Sequence, residues 1–467
     1  MEIHANPAVF LYISLSLLLH LTATSSFSPA DSHLINCGSA EPTTVDSDDR
    51  RFTGDSGIHF LTAAKTVPLQ DPNPTSSSSP IYHSARVFTR PSSYAFGIRE
   101  KGIHLVRIHF KRFNSERFNL FDAQFHVSVN GYVLLYNFTG ESTQKDRPRP
   151  VIKDYVIWVD TEKLVITFTP SEKSRIGFVS AIEVISAPKD LIADMAQSVS
   201  SEKNERVDGL LKNAFETVYR INVGGLKVTP LNDSLWRTWL PDEEFLKSSD
   251  NSRRVFFSGR IRYQLGGASR EVGPDNVYNS ARVVASSNDL VPRANITWAF
   301  TVTEGYRYLV RLHFCDIASV SLGILYFNVY VNGNLAYGNL DLSSETYGRL
   351  ASPFYADFLV DGDTSGVLTV SVGPSNRSMP HEVDALLNGI EVMKVNNSMA
   401  SLDGEVSVKS VLRSPSRENV GVLIPLVAAV CLFLTASIFM QWRRTGVKDS
   451  VAWSRLPVDG SAAYSKV

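Results

Sequence analysis

The chain has 467 residues, with 46 basic and 47 acidic side chains and a formal net charge of −1. This balance argues against nucleic acid as a partner, because no basic stripe is present along the sequence. Three cysteines in a chain of this length exclude a small disulfide scaffold, so hydrophobic cores must hold the fold together. The length predicts two or three domains.

An apolar run from Val9 to Leu21 lies near the start of the chain, and small residues follow it from Thr22 to Ser26. The run is too short to cross a bilayer comfortably, and the pattern is typical of a secretory signal peptide over residues 1–26. The residues that follow are therefore expected outside the cell. Five N-x-S/T acceptors fit that location, and we expect glycosylation at most of them: Asn137, Asn232, Asn295, Asn376 and Asn396.

The sequence after this segment repeats itself once, with matching segments in the same order. The repeat predicts two duplicated domains, at 33–187 and 216–395, because its period is too long for a solenoid. The matching pairs are Ile35–Gly38 with Ile221–Gly224, Tyr82–Val87 with Tyr278–Val283, Leu105–Phe110 with Leu309–Phe314, Phe125–Gly131 with Phe327–Gly333, and Ile182–Val184 with Ile390–Val392.

The repeated segments alternate between two kinds of residue. In the first half, Val106, Ile108 and Phe110 alternate with Arg107 and His109, and a period of two is typical of β-strands. An Asn-Gly dipeptide ends one strand in each half, which favours a tight hairpin turn. These patterns predict an all-β fold of two tandem antiparallel sandwiches.

Two of the cysteines, Cys37 and Cys315, lie in the predicted extracellular part, and Cys431 lies in a later apolar segment. A disulfide between the first two is one possibility. Their similar settings in different repeats argue against it, because each would belong to its own domain. The sequence leaves this pairing open.

The remaining segments connect or anchor the domains. Residues 188–215 are polar and predict a linker with a helical turn or two, and residues 396–419 predict a flexible stalk. Residues 420–440 carry no charge and are long enough to span a bilayer as a helix. Arginines follow them, which fits a cytoplasmic tail at 441–467. With the signal peptide, this predicts a single-pass type I protein of the plasma membrane.

The sequence offers little support for catalysis. The acidic cluster Asp242–Glu244 is interpreted as a solvated loop, since glycoside hydrolysis needs two carboxylates that face each other. His109 and His313 occupy equivalent strand positions, which indicates a structural role. No dense Cys/His cluster suggests zinc, and no cofactor is expected.

The segment Lys111–Phe121 is the first binding-site candidate. It interleaves cations with aromatic rings, a combination that suits an anionic polymer such as pectin through charge-assisted bonds and stacking. The alternative is a loop whose phenylalanines pack into the sandwich while its charges stay solvated. The candidate contact residues are Lys111, Arg112, Phe113, Arg117 and Phe118.

The glycine-rich segment Ser258–Asn276 is the second candidate. It carries Arg260, Arg262 and Arg270, and its backbone is suited to contact a peptide or a co-receptor. A plain surface loop is the alternative. Phosphate binding does not fit, because no helix with a Lys-Ser/Thr pair follows.

Several of these motifs together resemble the extracellular region of plant malectin-like receptor kinases of the FERONIA, THESEUS and HERCULES group. They are Ile35–Gly38, Glu216–Gly225, Asn295–Trp298, Tyr308–Cys315 and Leu387–Val392. The resemblance implies two malectin-like β-sandwiches packed side by side and a role in sensing the cell wall. It also implies small cysteine-rich signalling peptides, GPI-anchored co-receptors or pectin as partners.

The chain departs from that family in one large respect. The family carries a cytoplasmic serine/threonine kinase, whereas none of the kinase motifs occurs up to Val467. We therefore expect this chain to transfer no phosphate. It is expected to be the sensing half of a receptor kinase or a kinase-less decoy or co-receptor. The alternatives are a non-signalling, pectin-tethering lectin and a carbohydrate-active enzyme.

Overall fold

The computed structural model describes residues 27–57, 61–62, 66–140, 149–247, 252–284, 295–362, 365–378, 385–412 and 420–446. The predicted signal peptide and most of the predicted tail lie outside these residues. The described residues up to Leu412 form one compact unit, and a helix further along the chain belongs to a second unit.

The first repeat is built from strands with short 3-10 turns between some of them. These turns are Asp55–Gly57, Pro80–Tyr82 and Leu120–Asp122. The strands are β1 (Ser32–Asn36), β2 (Thr43–Val45), β3 (Arg51–Gly54), β4 (Leu61–Thr62), β5 (Thr66–Gln70), β6 (Ser84–Phe88), β7 (Ser92–Gly97), β8 (Gly102–Phe110), β9 (Phe125–Val129), β10 (Tyr132–Phe138), β11 (Val151–Val159), β12 (Lys163–Pro170), β13 (Gly177–Val179) and β14 (Ala181–Ser186).

The second repeat follows the same plan after a short hairpin, β15 (Met195–Ser198) and β16 (Glu205–Asp208). Its strands are β17 (Phe215–Asn222), β18 (Leu240–Pro241), β19 (Ser252–Phe256), β20 (Ser280–Val284), β21 (Ile296–Thr301), β22 (Arg307–Cys315), β23 (Tyr326–Val331), β24 (Asn334–Asp341), β25 (Pro353–Asp361), β26 (Val367–Pro374), β27 (Leu386–Leu387) and β28 (Gly389–Val395). The helical segments are two 3-10 turns, Leu210–Lys212 and Pro230–Asn232, and the helices α1 (Asp275–Tyr278), α2 (Leu342–Glu345), α3 (Val408–Leu412) and α4 (Val420–Gly446).

One long sheet runs through both repeats, in the order β16-β15-β25-β22-β28-β17-β11-β8-β14-β1-β3-β2, with β18 beside β17. The two domains join where β11 pairs antiparallel with β17. Each domain adds its own smaller sheets: β10-β9-β12-β7-β4 and β13-β6-β5 in the first, β21-β26-β23-β24 and β19-β20-β27 in the second. The predicted all-β fold is confirmed.

The alternating residues of the strands explain how the sheets pack. Ile108 of β8 is buried in a core with Val127 and Ile166 of the smaller sheet. The opposite face of β8 is covered as well, because Leu105 is buried in a cluster that includes Leu191. Both faces of this part of the long sheet are therefore shielded from solvent, which explains why every residue of β8 is buried.

The segment predicted as a linker supplies that second cover. Its hairpin adds to the long sheet, since β15 pairs in parallel with β25 at Gln197–Phe358. Leu191, Ile192 and Leu210 are buried against the sheet. The 3-10 turn Leu210–Lys212 agrees with the predicted helical turns. The sequence did not predict that the segment packs on the sheet, where these scattered apolar residues fix it.

The predicted flexible stalk begins with an ordered segment, residues 396–403, which we call the strap. The strap crosses from the end of β28 to the first domain and pairs with β10. The Val133 N–H donates to the Ala400 carbonyl at 2.9 Å, and the Leu402 N–H donates to the Val133 carbonyl at 2.8 Å. The Leu402 side chain is fully buried in the first-domain core. This part of the stalk is therefore not flexible, because one apolar side chain and a backbone ladder hold it.

The structure contains the tight turns that the two Asn-Gly dipeptides predict. Asn130, Gly131, Asn332 and Gly333 all have positive φ, as the predicted tight turns require.

Cys37 and Cys315 are both free and buried. They lie in different apolar clusters, so the structure contains no disulfide between them.

The helix α4 includes the residues predicted to cross a membrane. In the described part of the chain, no helix is long and apolar enough for such a crossing. The membrane span therefore stays a prediction.

Candidate functional site

A cleft of about 520 Å³ lies beside the β11–β17 pairing, where the two domains meet. The first domain contributes Arg50, Tyr82 and Arg107 to its lining, and the second contributes Tyr219 and Arg220. Pockets at domain junctions are common ligand sites, because they bury more of a ligand than an open surface can.

Ion pairs connect the domains at the floor of the cleft. Arg107 donates to Glu183 at 2.7 Å and to Asp154 at 3.3 Å. Asp154 also accepts from Arg220 of the second domain at 2.9 Å, and Arg220 pairs with Glu391 at 2.8 Å. The other oxygen of Asp154, Oδ1, is buried and has no hydrogen-bond partner among the described residues. This atom has almost no exposed surface, so a ligand in the cleft cannot contact it directly.

A tyrosine–histidine–carboxylate chain borders this floor. The Tyr82 hydroxyl lies 2.9 Å from His109 Nδ1, and His109 Nε2 lies 2.9 Å from Glu183. Because an ionised carboxylate accepts only, Nε2 carries the proton and Nδ1 accepts from the tyrosine. The second domain repeats the chain with Tyr278, His313 and Glu391. This repetition supports the structural role that the sequence predicts for both histidines.

The protonation states of these groups follow from burial and charge. Burial alone would raise the pKa of Glu183, but Arg107, His109 and Arg50 outweigh it and lower that pKa to about 2. Burial lowers the pKa of His109, and Glu183 offsets this effect in part. The carboxylate is therefore ionised and the imidazole neutral at pH 7. This arrangement holds no protonated carboxyl that could act as a general acid, so it lends no support to a glycosidase.

These pKa shifts predict how stability depends on pH. The folded-state pKa of His109 and of His313 lies below the unfolded value of about 6.5, so the unfolded chain takes up protons first. We expect the free energy of unfolding to fall as pH drops below about 6.5, by at most about 1.4 kcal/mol per pH unit for each histidine. The pKa of Glu183 is lowered as well, so its contribution is complete above about pH 4.3 and is lost towards pH 2. Urea unfolding from pH 7.5 to 3 measures both phases.

The variants His109→Gln and His313→Gln serve as the comparison for that experiment. Each removes one titrating group while keeping a side chain that can donate and accept. A shallower slope between pH 6.5 and 5 in each variant supports the assignment. An unchanged slope would mean that other groups carry the dependence.

A buried aspartate anchors the frame of each domain beside its Ser-Ala-Arg strand. Asp242 is fully buried and accepts from Arg282 at 2.5 Å, from the Trp298 indole N–H at 2.9 Å and from the Gly224 N–H at 3.0 Å. The first domain repeats this arrangement with Asp55, Arg86, Tyr94 and Gly38. The predicted solvated loop at Asp242–Glu244 is therefore wrong for Asp242, although Glu243 is exposed.

The same motif explains why glycine occurs at Gly38 and Gly224. Both have positive φ, at 76° and 71°. A Cβ at Gly38 would collide with the Ala85 carbonyl, and a Cβ at Gly224 with the Ala281 carbonyl. In each domain, the glycine motif and the Ser-Ala-Arg strand of the repeat thus pack against each other and form one buried corner.

The rim of the cleft is apolar, in contrast to its floor. Ile152 of the first domain and Val218 and Leu240 of the second line the cleft and are exposed. Trp236 lines it as well and is half-buried. Because the arginines of the floor are already paired, the cleft does not suit a polyanion. It suits a ligand that combines apolar groups with a hydrogen-bond donor for Asp48, which lines the cleft and is half-buried.

The Lys111–Phe121 segment lies outside the residues that line this cleft. Phe113 is only 5% exposed, and Phe118 packs partly against the core. Their rings therefore follow the alternative of phenylalanines that pack into the sandwich, and Phe113 is unavailable to a ligand. Arg117 is exposed and Lys111 and Arg112 are half-buried. Arg112 stacks over the exposed Phe121 at 4.9 Å, which leaves a small cationic and aromatic surface.

The glycine-rich segment also lies away from the cleft. Arg260, Arg262 and Arg270 are all exposed, but Arg270 is engaged locally. It pairs with Asp275 at 3.2 Å and stacks over Tyr263 at 4.9 Å. The structure therefore leaves Arg260 and Arg262 as the available cations of this candidate.

The glycosylation acceptors differ in their surroundings. Asn137, Asn232, Asn295 and Asn376 are exposed. Asn396 is half-buried in the strap, where its Oδ1 accepts from the Ala214 N–H at 2.7 Å. Glycosylation of these residues stays a prediction.

Sequence reasoning missed residues that build the cleft, among them Asp154 and Arg220. One signal was present: charged residues recur at equivalent positions of buried strands, as Arg107 and Arg311 do, or Glu183 and Glu391. A charge kept inside an apolar strand in both repeats indicates a buried ion pair, since an isolated buried charge is very costly.

Comparison with known proteins places this architecture in a family. A model of the malectin-like domain matches residues 35–395. A probable receptor-like protein kinase of Arabidopsis thaliana is 43% identical over 390 residues, which cover 82% of this chain and 46% of that protein. The receptor-like protein kinase THESEUS 1 of the same plant is 39% identical over 401 residues, covering 84% of this chain and 45% of that protein. The chain spans about half the length of the curated relatives it matches.

Solved structures show the same fold. The extracellular domain of ANXUR1 from Arabidopsis thaliana has a TM-score of 0.72 and 27% identity, covering 80% of this chain and 99% of that chain. A crystal structure of the plant peptide RALF23 with FER and LLG2 gives a TM-score of 0.70 and 30% identity, covering 81% of this chain and 98% of that chain. The chain belongs to the malectin-like domain family, and the matched part corresponds to the extracellular region of plant receptor-like kinases.

Proposed function

We propose that this chain is the extracellular sensing part of a single-pass plasma-membrane receptor, and that the cleft between its domains binds a segment of a signalling peptide. The observation that carries the proposal is the combination of an apolar rim with the carboxylate of Asp48, a half-buried residue in the lining of the cleft. A peptide supplies both partners, since its apolar side chains cover the rim and its N–H groups or basic side chains donate to the acceptor.

The comparison with FER supports this class of partner. FER occurs in one crystal structure with the peptide RALF23 and the protein LLG2. We propose that this chain likewise takes a small secreted peptide together with a second protein, anchored to the membrane by GPI, as co-receptor.

Binding measurements on the ectodomain, residues 27–412, test the peptide proposal. This part forms one compact unit, and extracellular domains of its relatives are solved on their own. We expect RALF23-type peptide, with LLG2 present, to bind and to lose at least about tenfold in affinity in the variant Ile152→Ser/Leu240→Ser, because apolar contact area at the rim is lost. Isothermal titration calorimetry measures the affinities.

Leu335→Ser is the matched control, since Leu335 is equally exposed but does not line the cleft. Equal binding by the rim variant and the control would mean that the peptide binds elsewhere. If no peptide binds in the presence of the co-receptor, the proposed function itself is wrong.

Two roles in signalling are compatible with this recognition. If a kinase follows Val467 in the native gene product, ligand binding would control the association of receptors and so the kinase. If none follows, the protein would compete for ligand as a decoy or serve as a co-receptor, by mass action. Sequencing the native transcript across the codon for Val467 distinguishes the two.

A pectin-tethering lectin is the second candidate function. Its support is the surface at Arg112 and Arg117, each stacked on a phenylalanine ring, Phe121 and Phe118 respectively. We expect binding of de-esterified pectin to weaken in Arg112→Ala/Arg117→Ala and to fall steeply with salt. Pectin binding that is unchanged in this variant would exclude the segment as the site.

Membrane anchoring and glycosylation belong to the same proposal. The predicted signal peptide, the predicted span at 420–440 and the sequons at exposed asparagines support a location of the matched domains outside the cell. Expression of the full chain in plant cells tests this placement. A mobility shift on enzymatic deglycosylation of membrane fractions supports it, and recovery of unglycosylated chain in the soluble fraction contradicts it.

A further inference from the structure

Three loops of the second domain form a second surface that shares no residue with the lining of the cleft. They are residues 258–274, 316–325 and 342–352, which we call the loop platform. Leu265 on the first loop is fully exposed, Val320 on the second is 87% exposed, and Tyr347 on the third is 81% exposed. Side chains of this size are rarely left so open in a group, and such groups mark interaction sites.

Backbone and side-chain hydrogen bonds fix the three loops to one another. Gln264 Nε2 donates to the Thr346 carbonyl at 2.8 Å. The Arg262 N–H donates to the Ala351 carbonyl at 2.8 Å, and the Ala351 N–H donates to the Asp316 carbonyl at 2.9 Å. The exposed side chains are therefore presented by a preorganised surface, which lowers the entropy that a partner would lose on binding.

The backbone conformation of Tyr347 also holds its side chain in a fixed position. Its φ is +51°, a conformation that is uncommon for any residue other than glycine. The neighbouring loop comes close to it, because Leu322 lies beside Gly348. The positive φ ends α2, because it lets the Gly348 N–H donate to the Ser343 carbonyl at 2.8 Å, and this turn places the Tyr347 ring outside the core.

Arginines lie on two of the loops that carry the apolar side chains. Arg260, Arg262 and Arg349 are exposed, and none of them pairs with a carboxylate in the described part of the chain. By contrast, Arg270 on the same platform is neutralised by Asp275. The platform thus combines apolar groups with three exposed arginines that form no ion pair among the described residues, although Glu271, Asp316 and Glu345 lie on the same loops.

We propose that the loop platform docks an extracellular protein or peptide segment that presents apolar side chains flanked by carboxylates. The arginines select the carboxylates through charge-assisted, bidentate hydrogen bonds. The apolar groups select a protein over an acidic polysaccharide, because a sugar ring can stack on Tyr347 but offers no aliphatic surface to Leu265 and Val320. This surface would act in addition to the cleft and does not depend on it.

A random-peptide library displayed on phage and selected on the ectodomain, residues 27–412, provides the probe. We expect the enriched peptides to combine Asp or Glu with Leu, Phe or Trp. A synthetic copy of the best peptide is then measured by calorimetry against two platform variants, Arg260→Ala/Arg262→Ala and Leu265→Ser/Tyr347→Asn. Asparagine is used at position 347 because it tolerates positive φ. Each variant is expected to weaken binding at least tenfold, and binding to the parent chain should weaken with salt.

Matched controls lie elsewhere on the second domain. Arg307→Ala removes an exposed arginine and Leu335→Ser an exposed leucine, both outside the platform, and each should change the affinity less than twofold. Enriched peptides without carboxylates, or with equal affinity for all variants, would overturn the proposal. Binding of polygalacturonate that the platform variants abolish, without any effect on the peptide, would instead make the platform a polysaccharide site.

Discussion

Replacing Asp242 by alanine is expected to lower the free energy of unfolding of the second domain by about 3–5 kcal/mol. The carboxylate is fully buried and accepts from Arg282, from the Trp298 indole and from the Gly224 N–H. Without it, two buried donors lose their acceptor, and the buried Arg282 keeps only Glu243, at 3.7 Å, as a carboxylate partner. Urea unfolding of the ectodomain followed by tryptophan fluorescence measures the change.

The neighbouring residue supplies the control for this experiment. Glu243 is nearly half-exposed and pairs with the exposed Arg254 at 2.9 Å. Glu243→Ala should change the free energy of unfolding by less than about 1 kcal/mol, as is usual for exposed pairs. Equal effects of the two substitutions would show that Asp242 is solvated, as the sequence alone suggested.

The second large effect is expected at the floor of the cleft, from Glu183→Ala. Glu183 is fully buried and accepts from Arg50 at 2.9 Å, from Arg107 at 2.7 Å and from His109 at 2.9 Å. Its removal leaves the His109 N–H without its acceptor, and it leaves Arg107 with only Asp154 and Arg50 with only Asp46 as carboxylate partners. We expect a loss of about 3–5 kcal/mol, measured as the shift in the urea midpoint at pH 7.

The amide variant separates charge from hydrogen bonding at this position. Glu183→Gln keeps an acceptor oxygen but removes the charge, so it should be destabilised less than Glu183→Ala. Both variants should also lose the low-pH phase of unfolding assigned to Glu183. Persistence of that phase in Glu183→Ala would assign it to another carboxylate, such as Glu391, whose pKa is lowered as well.

Most of the architecture was predictable because it depends on local patterns that repeat. Alternation in Leu105–Phe110, the Asn-Gly turns and the duplicated motifs predict strands, hairpins and two domains without knowledge of tertiary contacts. The comparison of the two halves also located the buried corners at Gly38 and Gly224, although their partners were not evident.

The errors share one physical origin, which is contact between residues far apart in sequence. Asp242 appears solvated in sequence because its acidic neighbours are, yet Arg282 and Trp298 enclose it from two other strands. Phe113 appears available because cations flank it, yet it is part of the first-domain core. The cleft itself could not be foreseen, since it exists only where β11 of one domain pairs with β17 of the other.

Because of the strap, the parts of the ectodomain would yield to a pulling force in a defined order. Beyond β28 the chain returns to the first domain, where Leu402 is buried and the backbone pairs with Val133. Tension applied to the chain after Leu412 would thus reach the first domain before the second. Release of the eight strap residues would lengthen the chain by up to roughly 27 Å, at about 3.4 Å per residue, and should be the first event in single-molecule stretching. Until that release, the end of the second domain is shielded from the pull, and the two domains respond to it as one body.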